Sequence, residues 1–285
     1  MMASNSRLAG RSAMLIVDSQ VHIWHRPGLG PHHIQLPKFD AGDQLKAMDE
    51  AGVAAAVICP PFMMEDVNEL AAEAAARHPS RLAVMGFFPI DAPDARERMR
   101  NWKQRSGMRG LRWVLNQPHM KTWWTDGTMD WVWADAERQG IPISYLVNDH
   151  MADLGRVAER YPGLKLIIDH LGRISGSKDD AAFKSLPDML ALAKYPNVAV
   201  KLSGAPSNSS DTYPWRNIHD HIRRIVDSFG PQRCFWGTDL SRMPCSYRQC
   251  VTMFTEEMPW LKGTDLELVM GRAMCDWIGW KIQGS

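Results

Sequence analysis

The sequence predicts a single (β/α)₈ barrel, on three observations. Eight short apolar runs follow one another along the chain, helical patterns separate them, and glycines stand at several of the joins. The first run is 14–18 (MLIVD). A helical pattern over 43–51, with Leu45 and Met48 on its apolar face, leads through Gly52 to the second run, 53–59 (VAAAVIC). An Ala/Glu-rich stretch at 67–77, high in helix propensity, precedes the third, 82–88 (LAVMGFF). The fourth is 110–115 (GLRWVL). A helix over 129–139, with Trp133 and Ala136 on one face, ends at Gly140 before the fifth, 141–147 (IPISYLV). Gly163 precedes the sixth, 164–169 (LKLIID), and 198–202 (VAVKL) and 233–237 (RCFWG) complete the set. Gly52, Gly140 and Gly163 are expected to be left-handed helix C-caps.

Near-continuous apolar strands alternating with helices imply a parallel sheet covered on both faces. The regular spacing, and the lack of a Gly-rich phosphate fingerprint after the first strand, favour a closed barrel over a doubly wound sheet. A final pattern at 266–280 reads as the helix that closes it. The expected organisation is a flexible N-terminal segment, 1–13, and one barrel domain, 14–285.

Composition narrows the class. The 285 residues are 45% hydrophobic and 23% charged, enough to bury a large core. A formal net charge of +1 gives no electrostatic reason to expect nucleic acid or an anionic membrane as partner. The five cysteines form no CxxC pair, so they read as reduced thiols, with Cys59 and Cys234 in the core. Residues 1–13 lack the apolar stretch of a signal peptide, and no window approaches the ~20 apolar residues of a membrane span. A cytoplasmic protein is expected.

In such barrels chemistry sits at the C-terminal ends of the strands. The first strand ends Asp18-Ser19-Gln20-Val21-His22-Ile23-Trp24, where Gln20 and His22 alternate and so share a side. The sixth ends Asp169-His170-Leu171-Gly172-Arg173, and the eighth ends Gly237-Thr238-Asp239. His22, His170 and Asp239, each placed where an apolar strand meets its loop, converge on one face. Arg112 is flanked by apolar residues and points into the barrel, whereas Arg109 begins the same strand and belongs at its far end. Lys201 lies near the end of the seventh strand. Arg forks match carboxylates bidentately, so Arg112, Arg173 and Lys201 suit a carboxylate-bearing small molecule. The histidines at 25, 32, 33 and 119 have no i, i+4 register and read as ordinary loop residues, and His150 as a loop or first-turn residue. Trp24, Trp123 and Trp124 could wall a flat ring.

The segments DSQVHIW, IIDHLGR and FWGTDLSR resemble the strand-one, strand-six and strand-eight motifs of the amidohydrolase superfamily. The nearest branch is the amidohydrolase-2 group, which includes 2-pyrone-4,6-dicarboxylate lactonase and sugar lactonases. The resemblance runs from about Met14 to the end of the chain. It implies a hydrolase, and it implies that Arg112, Arg173 and Tyr145 help to bind substrate.

Metal-dependent members carry His-x-His on strand one and a further ligand from strand five. Here Gln20 replaces the first His, and ISYLVND offers no His at its end. The expectation is therefore a metal-independent lactonase without a cofactor. Asp239 is its general base, His22 and His170 polarise the carbonyl or orient water, and Gln20 is a neutral donor beside them. The alternative is a metal-dependent decarboxylase or hydratase of an aromatic or unsaturated acid, with one Zn or Mn at His22, His170 and Asp239. The absence of a GxSxG elbow argues against a serine hydrolase. Assembly into a homo-oligomer is what the resemblance implies.

Overall fold

The alternation of run and helix folds as a ring of parallel strands. The computed structural model describes residues 14–27, 29–61, 67–115, 120, 122–146, 150–174 and 176–282. The N-terminal segment expected at 1–13, the last three residues of the expected domain, and His119 lie outside the described residues.

Eight strands form one sheet in sequence order, each pairing in parallel with the next: β1 (Val17–Val21), β2 (Ala55–Ile58), β3 (Leu82–Phe87), β4 (Met108–Trp113), β5 (Ile143–Tyr145), β6 (Leu166–Ile168), β7 (Val198–Lys201) and β8 (Cys234–Phe235). The ring closes through the Ser19 N–H on the Trp236 carbonyl (3.1 Å) and the Asp239 N–H on the Gln20 carbonyl (2.8 Å). Gly237 permits this seam. A Cβ there would stand 2.5 Å from Ser19 Oγ and 3.1 Å from the Ser19 nitrogen, closer than packed atoms approach.

The helices are α1 (Ala41–Ala51), α2 (Val67–Arg77), α3 (Ala95–Asn101), α4 (Asp130–Gln139), α5 (Met151–Arg160), α6 (Asp179–Ala182), α7 (Leu186–Leu190), α8 (His219–Phe229), α9 (Tyr247–Thr255), α10 (Gly263–Glu267) and α11 (Ala273–Ile278). Asp40 and Asp43 form a capping box at the start of α1, and Gly52 and Gly140 are left-handed caps after α1 and α4. Gly163 is not a cap. The helix before it stops at Arg160, φ at Gly163 is not left-handed, and its N–H donates to Glu137 Oε1 at 2.8 Å. The closing helix spans α10, a π-helical stretch at Leu268–Arg272, and α11.

The first strand runs Val17–Val21, three residues beyond the apolar run that signals it. Asp18, Ser19 and Gln20 are polar yet buried; Asp18 and Gln20 find partners there, whereas the Ser19 hydroxyl has none. A bulge between Asp18 and Val21 lets Val17 and Gln20 share the interior.

The interior is layered. Its lower layer is apolar, with Val17, Val57, Met85, Ile167 and Phe235 packed on Met274, Ile278 and Trp280 of the closing helix and its C-terminal flank. Its upper layer is polar, and one alternation along β4, β5, β6 and β7 supplies Arg112, Ser144, Asp169 and Lys201. The outward faces of the strands pack on the helices in a larger apolar core. All five cysteines are free, and Cys59 and Cys234 are buried. Among the described residues no helix is long and apolar enough to cross a membrane.

Candidate active site

Asp239 sits at the centre of the polar layer's mouth. His22 Nε2 approaches its Oδ1 at 3.1 Å, His170 Nε2 its Oδ2 at 3.9 Å, and Arg242 Nε its Oδ2 at 3.8 Å. Oδ1 is buried and receives no hydrogen bond of ordinary geometry from the protein. Burial works to raise this carboxyl's pKa, but His22, His170 and Arg242 outweigh it and hold the group well below the usual carboxylate range.

The histidines are oriented by their second nitrogens. His22 Nδ1–H donates to the Cys59 carbonyl, which turns Nε2 toward Asp239. His170 accepts at Nε2 from Arg112 Nη2 (3.4 Å), because a guanidinium can only donate, and so its Nδ1–H is directed to Ser203 Oγ (3.0 Å). That tautomer is neutral. Burial, together with the charges of Arg112 and Arg173, accordingly lowers His170 to about 3 against the pull of Asp239 and Asp169.

A second carboxylate, Asp169, lies beneath. Its Oδ2 accepts from Arg112 Nε (2.8 Å), and its Oδ1 from Ser144 Oγ and Lys201 Nζ (3.1 Å). Burial would raise it, but Lys201 and Arg112 keep it ionised, below the ordinary range. Lys201 is fully buried and directs Nζ to Gln20 Oε1 (2.9 Å) and Cys59 Sγ (3.5 Å) as well as to Asp169. Its Nζ thus lies beneath the mouth, engaged with Gln20, Cys59 and Asp169. Gln20 Nε2 is a buried donor without a partner.

Arg173 is buried near Arg242 and Asp239. Burial first, then Arg242, lowers its pKa to about 10. Arg112, Arg173, Arg242 and Lys201 thus surround Asp239 and Asp169, four cations against two carboxylates.

One of the residues expected to bind substrate stands apart from the Asp239 cluster. Tyr145 belongs to the outer core; its hydroxyl accepts from Trp124 Nε1 (2.6 Å) and its ring meets Trp124 edge-on. Trp24 is 1% exposed, donates to the Leu36 carbonyl (2.9 Å) and stacks on Phe39. It pins the β1–α1 loop and, with His22, Ile34 and Leu36, lines a cavity of about 400 Å³ beside the mouth, whereas Trp123 is buried separately in the outer core. His150 stacks on Trp124 and bonds Asp153 (2.8 Å).

Sequence reasoning missed Arg242 and His33. Arg242 follows Asp239 by three residues, as Arg173 follows His170, and short helical turns at Leu240–Arg242 and His170–Gly172 account for both spacings. That repeated x-x-Arg was the available signal. His33 gave none: its loop is folded back by the Trp24–Phe39 bridge and by the Ile34 N–H on the Ser241 carbonyl (2.6 Å). His33 Nδ1 bonds Ser241 Oγ at 2.7 Å, and its ring meets His22 edge-on at 5.4 Å. Burial, then His22, lowers its pKa to about 4.

One ligand atom each from His22, His33 and Asp239 lie within 4.8 Å of one another. This is the donor set of an open three-ligand site, with each imidazole's other nitrogen held in place. It differs from the set expected from sequence, because His33 stands in place of His170.

The amidohydrolase family profile matches residues 17–268. An L-fucono-1,5-lactonase of Burkholderia ambifaria is 24% identical over 232 residues, covering 78% of this chain and 79% of that protein. Among solved structures, a Burkholderia multivorans amidohydrolase with bound Zn superposes with a TM-score of 0.80 at 19% identity, over 94% of this chain and all of that one. A putative 2-pyrone-4,6-dicarboxylic acid hydrolase of Pseudomonas putida gives 0.71 at 22% identity, over 95% and 99%. These structures share the barrel.

Proposed function

The chain belongs to the amidohydrolase family and is a hydrolase, and within that family we propose that it opens a carboxylate-bearing lactone without a metal, with Asp239 as general base. The observation that carries this reading is the excess of cations around one buried, ionised carboxylate at the mouth of the barrel. Similarity to an L-fucono-1,5-lactonase supports the reaction type.

Water attacks the lactone carbonyl while Asp239 takes its proton. His170, with its ring nitrogens engaged by Arg112 and Ser203, positions the Arg112 guanidinium beside Asp239 instead of polarising the carbonyl. Gln20 Nε2 and Arg242 are the donors placed for the oxyanion, and Arg173 adds positive charge beside them. The tetrahedral centre then collapses, the ring C–O bond breaks, and the proton on Asp239 passes to the leaving oxygen to give the hydroxy acid.

Asp239, held ionised, is ready to accept the proton, and the cations around it stabilise the developing oxyanion. Asp239→Asn should cut kcat by about 10²–10⁴ with an unchanged circular dichroism spectrum. Arg242→Gln should cost about 10²–10³. Acid release from L-fucono-1,5-lactone and from 2-pyrone-4,6-dicarboxylate measures both. An Asp239→Asn protein of wild-type activity would remove that residue from the role.

A second reading has its own observation. His22 Nδ1–H is committed to Cys59, so a neutral His22 turns a lone pair toward Asp239 Oδ1 at 3.1 Å, and a proton or a cation must lie between them. A divalent cation held by His22, His33 and Asp239 would supply Lewis acidity to the carbonyl. Metal analysis decides between the readings. Stoichiometric metal that is lost in His33→Gln, with chelator-sensitive turnover, selects the cation.

A further inference from the structure

A cavity of about 500 Å³ opens at the other end of the barrel, beneath the N-terminal ends of β4, β5 and β6 and against the end of α11. Three cations line it: Lys103 from the turn after α3, Arg109 from the start of β4, and Lys165 just before β6. Lys103 Nζ donates to the carbonyls of Gln139 (2.9 Å) and Gly140 (2.7 Å), which caps α4. Lys165 Nζ donates to the Trp277 carbonyl (2.9 Å) and lies 5.3 Å from the Trp277 ring centroid. Each ammonium has three donors, so Lys103 keeps one N–H and Lys165 two for a further partner.

Two more donors on the wall lack acceptors altogether. Arg109 Nε and Trp277 Nε1 are both buried without a hydrogen bond. Among the described residues none of the three cations pairs with a carboxylate, and Glu137, beside the rim, gives Oε1 to the Gly163 N–H. Burial, then the charges of Arg109 and Lys165, pull the Lys103 ammonium below its ordinary value. Lys103 and Lys165 are exposed and their charges are screened by water, but the buried Arg109 Nε and Trp277 Nε1 are donors left without an acceptor.

We propose that this cavity binds a small anion carrying phosphate or carboxylate oxygens, at a site separate from the Asp239 mouth. Its lining residues bring three cations and no carboxylate, and their two unpartnered buried side-chain atoms are donors, so the complementary partner is an acceptor. The Arg109 guanidinium offers planar recognition of such oxygens, and the Trp277 indole supplies one donor together with an apolar face. The volume falls within the ~300–1,000 Å³ usual for small-molecule sites.

Crystals soaked in inorganic phosphate locate the site, and calorimetric titration with phosphate and with succinate separates the two oxygen sources. Density between Arg109 and Lys165 is expected, with the tighter of the two probes naming the anion class. Arg109→Gln should weaken that probe at least tenfold, the loss of one charge-assisted hydrogen bond. Lys165→Gln gives the same test should Arg109→Gln not fold. Density confined to the Asp239 mouth, no bound ion, or variants that titrate like wild type would overturn the proposal.

Discussion

His170 and Asp239 have backbone φ of 50° and 56°, a left-handed conformation uncommon for residues with a side chain, though Asp and His adopt it more readily than most. Each lies just past a strand end, and the turn swings its side chain inward. The neighbouring buried carboxylate, Asp18, holds Asp239's strand end in position. Asp18 accepts from the Gln20 and Thr238 N–H groups (both 2.9 Å), from Thr238 Oγ1 (2.5 Å) and from the Tyr247 hydroxyl (2.8 Å). Burial outweighs these bonds and raises its pKa from 3.8 to about 6. The folded protein therefore holds this proton more tightly than the unfolded chain does. Asp18's contribution to stability is full below about pH 4 and is lost as the pH climbs through about 6, by an amount on the order of 3 kcal/mol. Asp18→Asn should remove that slope, so urea midpoints of variant and wild type should converge at one end of the pH 4–6 window and part at the other. Parallel midpoint curves would mean that Asp18 does not titrate there. The strand-end positions of His22, His170 and Asp239 were legible because strand ends are. The roles of Asp18 and Asp169 were not, because each is defined by partners on two or three other segments distant in sequence.

At the scale of elements, apolar runs located seven strands to within a few residues and misplaced one boundary. β1 carries three polar residues into the barrel, and a run of hydrophobicity cannot see a strand whose buried groups are polar. Its bulge is equally invisible, since it comes from the register against β2. The seam between β1 and β8 depends on Gly237. Gly237→Ala would drive a methyl group against Ser19 Oγ and the Ser19 backbone, and overpacking of this kind costs about 1–3 kcal/mol. Activity should fall with stability, because the Asp239 N–H is held by the Gln20 carbonyl across the same seam. Ser19→Ala removes an unpartnered hydroxyl and should be nearly neutral alone. Combined with Gly237→Ala it should recover part of the loss, and only part, since the Ser19 nitrogen stays where it is. Urea denaturation of the four proteins in this cycle gives the coupling; strict additivity would show that the contact is not the cause.

Across the whole molecule, charge is nearly balanced, with a formal net charge of +1, so a distant anion feels little net pull from the protein as a body. The attraction is local, at a mouth where four cations meet two carboxylates. This balance separates a carboxylate-bearing substrate from a neutral one by a simple measurement. A field concentrated at the mouth accelerates encounter with an anion and is screened beyond about 10 Å at 0.1 M salt. Raising ionic strength from about 0.01 M to 0.5 M should therefore lower kcat/KM for 2-pyrone-4,6-dicarboxylate severalfold, while kcat changes little, because buried pairs are screened far less than the approach path. An uncharged sugar lactone, sharing the reacting group but not the carboxylates, should show no such dependence. If both substrates respond alike, salt is acting on the protein and not on the encounter, and the cations then serve the oxyanion alone. A response confined to the charged substrate assigns part of that cation set to recognition, and Arg242→Gln should reduce its size because Arg242, at 23% side-chain exposure, is the partner of Asp239 that reaches furthest toward solvent.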